Sequence, residues 1–140
     1  MIATASARDA ALVASLGAEQ VIDYRASKFE EAVQDLDVVF DTVGGETLAR
    51  SWSLLKPSGR MVTIAAGGEA TADARTKNAF IIVEPNRKQL TEVAGLLDTG
   101  RLQAFVAGSV PFSQAAEAYS GRIPKAGPGK LVVVVAEEAS

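Results

Sequence analysis

Two side chains near the start of the chain could bind an anion. Residues 1–5 are apolar and partly β-branched, which predicts a strand, and Ser6 and Arg8 follow it directly. A hydroxyl and a guanidinium two residues apart both donate hydrogen bonds to phosphate oxygens. The alternative is structural, with Ser6 as a helix cap and Arg8 as a solvated side chain.

The absence of two residue types excludes several kinds of side-chain chemistry. The chain has no Cys and no His, which removes disulfides, thiolate nucleophiles, imidazole bases and nearly every zinc ligand set. Glu30 and Glu31 are expected on a helix surface, and Asp41 at a strand end is open between structural and functional roles. Gly129-Lys130 is not part of a phosphate loop, because Leu131 replaces the required Ser or Thr. No catalytic or metal-binding residue is therefore predicted.

Size and charge indicate one globular domain. The 140 residues are 48% hydrophobic and 22% charged, with a net charge of -3 and scattered basic residues. This pattern gives no footprint for nucleic acid or anionic lipid. The longest apolar run, residues 131–136, is far shorter than the ~20 residues of a membrane helix. We expect no membrane partner and a cytoplasmic location.

Strand and helix patterns alternate along the chain. The helices are predicted from Ser6 to Gly17, from a capping box at Ser27 to near Asp35, through Leu48–Leu55 and from Asn86 to Gly100, with a short one after Ser113 that stops at Gly121. Residues 67–78 are predicted to be a surface loop. The predicted strands are 1–5, 20–23, 37–42, 60–65, 79–84, 102–110 and 130–136, of which 37–42 is expected to be buried. This order predicts a single α/β domain, residues 1–140, Rossmann-like, with a mostly parallel sheet and helices on both faces.

Ligands of such sheets lie beyond the carboxyl ends of the strands. The residues there include Ser6, Tyr24, Thr42-Val43-Gly44 and Ala65-Ala66. The chain reads as a dinucleotide-binding unit from its second strand onward, so residues 1–5 take the place of that strand. NAD-binding units place an acid directly after it, whereas Ser6, Ala7 and Arg8 stand there in this chain. This difference favours the 2'-phosphate of NADP. Tyr24 could equally be an amphipathic residue at the sheet edge, and the glycines could simply permit turns.

Four segments together resemble one enzyme family. They are TASARDAALVASLGAEQVIDYR, DVVFDTVGGETLARSWSLLKPSGRMVTIA, FIIVEPNRKQLTEVAGLLDTGRL and GKLVVVV. They resemble the zinc-free quinone-oxidoreductase branch of the medium-chain dehydrogenase/reductase family over nearly the whole chain. The resemblance implies an NADPH-dependent oxidoreductase, in which hydride passes to a quinone or enone without a protein metal.

The resemblance also implies a set of cofactor contacts. Ser6, Arg8 and Tyr24 match positions around the adenosine 2'-phosphate, and Lys130 falls in the terminal Gly-Lys motif of the family. The remaining matches lie near the loop after β-strand 37–42 and on the nicotinamide side, and they are Thr42, Val43, Gly44, Ala65, Ala66, Phe80 and Ile82.

The chain departs from the family pattern at its start. The family's GroES-like domain, first strand and glycine loop have no counterpart here, and Asp9 stands where some relatives have a phosphate-binding Lys. We therefore expect weak NADP binding and no catalysis by this chain alone.

The sheet of the family has the strand order 3-2-1-4-5-6, so its first strand lies between its second and its fourth. Without a counterpart of that first strand, the sheet of this chain would have a gap between residues 1–5 and residues 37–42. Direct pairing of its neighbours, insertion of residues 131–135 or a strand from a second chain could close it. We favour a homodimer that pairs sheet edges through residues 79–84.

Two other classes stay open. DVVFDTVGG followed by LLKPSGRMV also resembles the late motifs of S-adenosylmethionine-dependent methyltransferases, although Ser6 occupies the place of their ribose-binding acid. A non-catalytic α/β interaction module, such as a receiver-like domain with Asp41 as phosphoacceptor, is the third possibility. It lacks the acidic pair that would hold magnesium.

Overall fold

The chain divides into two compact units. A computed structural model describes residues 1–65, 67 and 72–136, and its units are Met1–Glu84 and Pro85–Ser140. The α/β class with parallel strands, predicted from the sequence, is confirmed. The description of residues 1–140 as a single domain stays a prediction.

The first unit alternates strands and helices. Its strands are β1 (Ile2–Ala5), β2 (Gln20–Asp23), β3 (Leu36–Asp41) and β4 (Leu55–Thr63), and its helices are α1 (Ala10–Ser15), α2 (Phe29–Ala32), α3 (Gly45–Ser51) and α4 (Ala74–Ala79). A 3₁₀ turn, Trp52–Leu54, joins α3 to β4.

All strand pairs of this unit are parallel, but they form two separate ladders. In one, β1 pairs with β2, and in the other, β3 pairs with β4. A single bridge joins Thr63 to Phe80. Within the described residues, β1 and β3 do not pair with each other, so the predicted direct closure of the gap is wrong. Residues 131–134 pair with residues 108–111 in the second unit, and insertion of residues 131–135 into the gap stays a prediction.

Two apolar clusters form the core of the first unit. Ile22, Phe29 and Leu54 make one, and Leu48, Met61 and Ala79 make the other. Burial in these clusters is the main source of stability for such small elements, at roughly 25 cal/mol per Å² of apolar surface.

Only one face of β3 is buried. Val39 packs against the second cluster, and Asp41 is buried with it on the same face. Val38 and Phe40 point to the other face, where they are 59% and 63% exposed. The apolar run of this strand predicted burial on both faces. The structure differs from that prediction, because nothing among the described residues packs over the face of Val38 and Phe40.

The second unit is smaller. It contains α5 (Arg87–Asp98), β5 (Val106–Pro111), a 3₁₀ turn (Phe112–Gln114), α6 (Ala115–Tyr119) and β6 (Lys130–Val134). β5 pairs in parallel with β6. Asn86 caps α5 by accepting a hydrogen bond from the backbone N–H of Gln89, as predicted.

Two predicted helix starts are wrong. Ser6 does not cap α1, which begins at Ala10, because its hydroxyl donates to Asp9 inside an intervening turn. Ser27 forms no capping box, because both its N–H and its hydroxyl donate back to the carbonyl oxygen of Asp23. The helix α2 has only four residues and ends at Ala32, before the predicted stop near Asp35.

Three boundaries around the second ladder also differ. β4 begins at Leu55, ahead of Pro57, because Leu55 pairs with Leu36 before a bulge. Part of the predicted loop 67–78 forms α4, which Asp73 caps, while residues 68–71 lie outside the described part of the chain. The predicted strand 79–84 is reduced to the single bridge at Phe80.

No helix among the described residues has the length and apolar character needed to cross a membrane.

Candidate functional site

The end of β1 carries a small polar cluster. Ser6 is buried, and its Oγ donates to Oδ2 of Asp9 at 2.8 Å. Arg8 Nε lies 3.3 Å from Oδ1 of the same carboxylate, although the Arg8 side chain is 83% exposed. These two donors, the Ser6 hydroxyl first, hold the pKa of Asp9 below its ordinary value. The predicted anion-binding pair is thus already facing an internal anion.

The end of β2 lies beside this cluster. The Tyr24 backbone N–H donates to the carbonyl of Ala5 at 3.4 Å, which brings the two strand ends together. The Tyr24 ring is exposed, with the Arg25 guanidinium 5.6 Å from its centroid. Arg25 also lowers the pKa of Asp9 through space. Sequence reasoning missed Arg25, although its position next to Tyr24 at a strand end was a usable signal.

The end of β3 is held by a buried carboxylate. Asp41 accepts the backbone N–H of Gly44 at 3.0 Å and that of Val43 at 3.3 Å, and it accepts the Thr63 hydroxyl at 2.6 Å. Asp41 is only 4% exposed. Of the two roles that the sequence allows for Asp41, the structure supports the structural one, because a phosphoacceptor needs a carboxylate oxygen that reaches solvent.

Thr63 connects three segments at the same edge. Its side chain is fully buried, donates to Asp41 and accepts the N–H of Ala65 at 3.2 Å. Its carbonyl accepts the N–H of Ile81 at 3.0 Å. The loops after β3 and β4 and the segment after α4 are thereby fixed to one another.

The loop after β3 presents backbone and two exposed side chains. Gly44 and Gly45 have φ of 77° and 56°, a conformation that favours glycine. Thr42 and Val43 are exposed, whereas Gly44 and Ala65 are buried. Because this surface carries no charge, it is suited to contact with a flat ring.

The other predicted contacts have different placements. Phe80 is half-buried at its bridge to Thr63, and Ile82 follows it as an exposed residue. Ala66 lies outside the described residues. Lys130 belongs to the second unit, where its N–H donates to the carbonyl of Phe105 at the start of β6. The structure thus groups Ser6, Arg8 and Tyr24 at one pair of strand ends, and Thr42, Val43, Gly44, Ala65 and Phe80 at the other.

The residues present do not fit a zinc ion. The sequence contains no Cys or His, and the described ranges hold no group of three or more acidic side chains placed around a common point.

The chain is similar to known oxidoreductases. It is 32% identical to an NADPH-dependent alkenal/one oxidoreductase, chloroplastic, from Arabidopsis thaliana, over 94% of this chain and 32% of that protein. It is 30% identical to 2-methylene-furan-3-one reductase from Solanum lycopersicum, again over 94% of this chain and 32% of the relative. The chain therefore spans about a third of the length of these curated relatives.

A solved structure agrees with these sequence relatives. The quinone oxidoreductase from Coxiella burnetii superposes with a TM-score of 0.81 at 27% identity, covering 96% of this chain and 44% of that one. A family profile for zinc-binding dehydrogenases matches residues 16–133. These matches confirm the resemblance found in the sequence and favour it over the methyltransferase and receiver-like alternatives. The chain belongs to the zinc-binding dehydrogenase family.

Proposed function

We propose that this chain is the cofactor-binding part of an oxidoreductase that uses NADPH to reduce quinones or enones. The relatives include an NADPH-dependent alkenal/one oxidoreductase and a quinone oxidoreductase. The observation that carries the proposal is the pair of arginines, Arg8 and Arg25, at the joined ends of β1 and β2. NADPH, when bound, supplies the hydride for the reduction.

The adenosine 2'-phosphate would be held at this pair of strand ends. Arg8 and Arg25 are exposed and positively charged, and the Tyr24 ring offers an exposed apolar surface beside them. Asp9 fits the phosphate poorly, because it adds a negative charge and occupies the Ser6 hydroxyl. The site therefore fits NADPH only in part, and we expect a modest preference over NADH.

The nicotinamide would lie at the other pair of strand ends. Thr42 and Val43 form an exposed, uncharged surface there beside the buried Ala65, and the Asp41–Thr63 hydrogen bond fixes its shape. The role of these residues is to bind and orient the ring. No side chain of this surface can donate or accept a proton at neutral pH, so we propose no catalytic residue within it.

Calorimetry with NADPH and NADH tests the proposal. We expect weak binding with NADPH preferred, and we expect Arg8→Ala and Arg25→Ala each to reduce that preference by roughly two- to fivefold, the range for exposed ion pairs. Arg122→Ala, an exposed arginine in the second unit, is the matched control and should change nothing. Tighter binding of NADH would contradict the assignment.

We further propose that the chain does not turn over quinones by itself. The relatives that carry such names are chains more than twice as long. Steady oxidation of NADPH by the purified chain with a quinone present would refute this point while leaving the binding proposal intact.

A homodimer through the segment after Phe80 remains our proposal for its assembly. Ile81, Ile82 and Val83 are exposed apolar residues beyond a one-residue bridge, which leaves a sheet edge open. Light scattering should show a dimer that Ile82→Asp converts to a monomer. A monomeric parent chain would disprove it.

A further inference from the structure

The turn after β1 folds an aspartate back onto the end of the strand. Residues 6–9 form this turn, in which the backbone N–H of Asp9 donates to the carbonyl of Ser6 at 2.9 Å. The Ser6 hydroxyl donates to Oδ2 of Asp9 at 2.8 Å, and Arg8 Nε lies 3.3 Å from Oδ1. Both donors that the sequence predicts for a phosphate therefore already face a carboxylate of the same chain.

The two donors differ in what they can still offer to a ligand. Ser6 is buried, and its hydroxyl has a single hydrogen, so it cannot donate to a phosphate while it donates to Asp9. The Arg8 side chain is 83% exposed, and a guanidinium has several N–H groups, so Arg8 can contact Asp9 and a ligand together. Competition between Asp9 and an outside anion is therefore strongest at Ser6.

The charge of Asp9 also acts against a phosphate. The hydrogen bond from Ser6, followed by that from Arg8, lowers the pKa of Asp9, and the positive charge of Arg25 adds to this effect. The carboxylate is therefore ionised at neutral pH. A 2'-phosphate bound at these strand ends would lie beside this negative charge, and like charges that share a site repel each other.

An uncharged ribose hydroxyl suits the occupied turn better. An ionised carboxylate has about four acceptor positions, and Ser6 and Arg8 each approach one oxygen. The Asp9 side chain is 37% exposed, so a ligand hydroxyl can reach a remaining position and donate to it. The same residue thus opposes the phosphate of NADPH and can accept the 2'-hydroxyl of NADH.

We propose that Asp9 determines the cofactor preference of this chain, because its carboxylate competes with the 2'-phosphate of NADPH for Ser6 and Arg8. This inference rests on the proposed binding of NADPH at the ends of β1 and β2. Without the Asp9 carboxylate, the strand ends would keep two exposed arginines and the Tyr24 ring, and the Ser6 hydroxyl would be free. Loss of the repulsion should raise the ratio of NADPH to NADH affinity about tenfold, a limited change because solvent screens exposed charges.

A purely structural role for Asp9 predicts a different result. Asp9 is the residue before α1, but its side chain makes no capping hydrogen bond to that helix. The turn is closed by the backbone N–H of residue 9, which asparagine or alanine also supplies. A structural role would therefore change stability and leave the ratio of the two affinities as it is.

Calorimetric titration of the full chain with NADPH and with NADH measures this ratio for each variant. Asp9→Asn removes the charge and keeps an oxygen to which Ser6 can donate, whereas Asp9→Ala also frees the Ser6 hydroxyl. We expect both variants to raise the ratio about tenfold. Ser6→Ala should change the ratio by less than about twofold in the parent chain, where the hydroxyl is occupied, but should lower it about fivefold when it is added to Asp9→Ala.

Two variants control for charge in general. Asp9→Glu keeps the negative charge at the same position. Glu117→Gln removes one negative charge from an exposed site in the second unit. Neither variant should raise the ratio by more than about twofold, since neither removes the carboxylate from the strand ends.

The outcomes separate this inference from the proposed function. An unchanged ratio in both Asp9→Asn and Asp9→Ala would overturn the inference, and a parent chain that still prefers NADPH would leave the proposed function standing. An equal rise in Glu117→Gln would also overturn it, because general charge would then be the cause. A parent chain that prefers NADH, with Asp9→Asn preferring NADPH, would support the inference and contradict the proposed preference of the parent. Absence of binding to the parent and to every variant would overturn both.

Discussion

The hydrogen bond between Asp41 and Thr63 should contribute strongly to the stability of the first unit at its candidate site. Its 2.6 Å length, the carboxylate acceptor and the full burial of Thr63 place it among the strong hydrogen bonds of proteins. Such a bond contributes about 1.5–3 kcal/mol to the free energy of unfolding.

Substitution of either partner should cost more than the bond alone. Thr63→Val removes the hydroxyl and leaves the N–H of Ala65 without its acceptor, so we expect a loss of about 3 kcal/mol in the free energy of unfolding. Asp41→Ala leaves the Thr63 hydroxyl and the N–H of Gly44 unpaired, for a loss of about 3–5 kcal/mol. Asp41→Asn keeps an acceptor and should cost about 1–2 kcal/mol.

A double-mutant cycle measures the pair itself. Urea unfolding of the full chain, followed by the fluorescence of its single tryptophan, Trp52, reports on the first unit. The combined loss for Asp41→Ala with Thr63→Val should fall short of the sum of the single losses by about 2 kcal/mol. Asp23→Asn, at the end of β2, is the control and should cost under about 0.5 kcal/mol, because the Asp23 side chain accepts the exposed backbone N–H of Arg25 and an amide oxygen can still do so. Additive losses within about 0.5 kcal/mol would refute the reasoning.

Two more predictions concern charge and backbone space. The backbone N–H of Glu30, and then the Arg50 guanidinium at 2.9 Å, hold the pKa of Glu30 below its ordinary 4.5 in the folded state. As the pH falls, the unfolded chain therefore takes up this proton before the folded chain does, and the free energy of unfolding should decrease below about pH 4.5. Urea unfolding should show a smaller decrease for Glu30→Gln than for the parent chain. An unchanged pH dependence in that variant would contradict this prediction. In the second unit, a Cβ on Gly129 would collide with the backbone of Phe105, so Gly129→Ala should lower the thermal midpoint, while Gly127→Ala, where a Cβ meets open space, should not. Equal thermal midpoints for these two variants would contradict the prediction, because they would show that the start of β6 moves away from Phe105 without loss of stability.

Local signals in the sequence predicted much of the fold. β2 has the predicted bounds, and Asn86 caps α5 as expected, because the side chain and the backbone group it satisfies are three residues apart. Gly17 and Gly100 follow helices with positive φ, which the pattern of glycine after an apolar helix also predicts. These features depend on neighbours in sequence, so one sequence is enough to find them.

Elements that depend on distant partners were harder to predict. Ser27 has the residue type and spacing of a capping box, yet it bonds to Asp23, because the turn after β2 supplies a nearer acceptor. β4 starts early because Leu36 pairs with Leu55 across nineteen positions of chain, a contact that no local pattern contains.

The candidate site was predicted in outline from strand ends. The grouping of Ser6, Arg8 and Tyr24 follows from adjacent parallel strands. The structure has the three residues at the joined ends of β1 and β2, and their role in binding stays a prediction. The involvement of Asp9 was not foreseen as a hydrogen bond, because its turn with Ser6 replaced the expected helix start. The position of Arg25 beside Tyr24 at a strand end can be read from the sequence, but its contact with the Tyr24 ring depends on side-chain direction and cannot.

The connections made by Thr63 also affect how a ligand would be recognised. Because this one buried residue ties the loop after β3, the residue Ala65 and the segment at Ile81 to one another, a ligand arriving there meets a surface that is already ordered. Little conformational entropy then remains to be lost on binding. Discrimination between ligands at this edge should depend on the fit of their shape to a rigid surface, and ligands of the wrong shape should be rejected rather than accommodated.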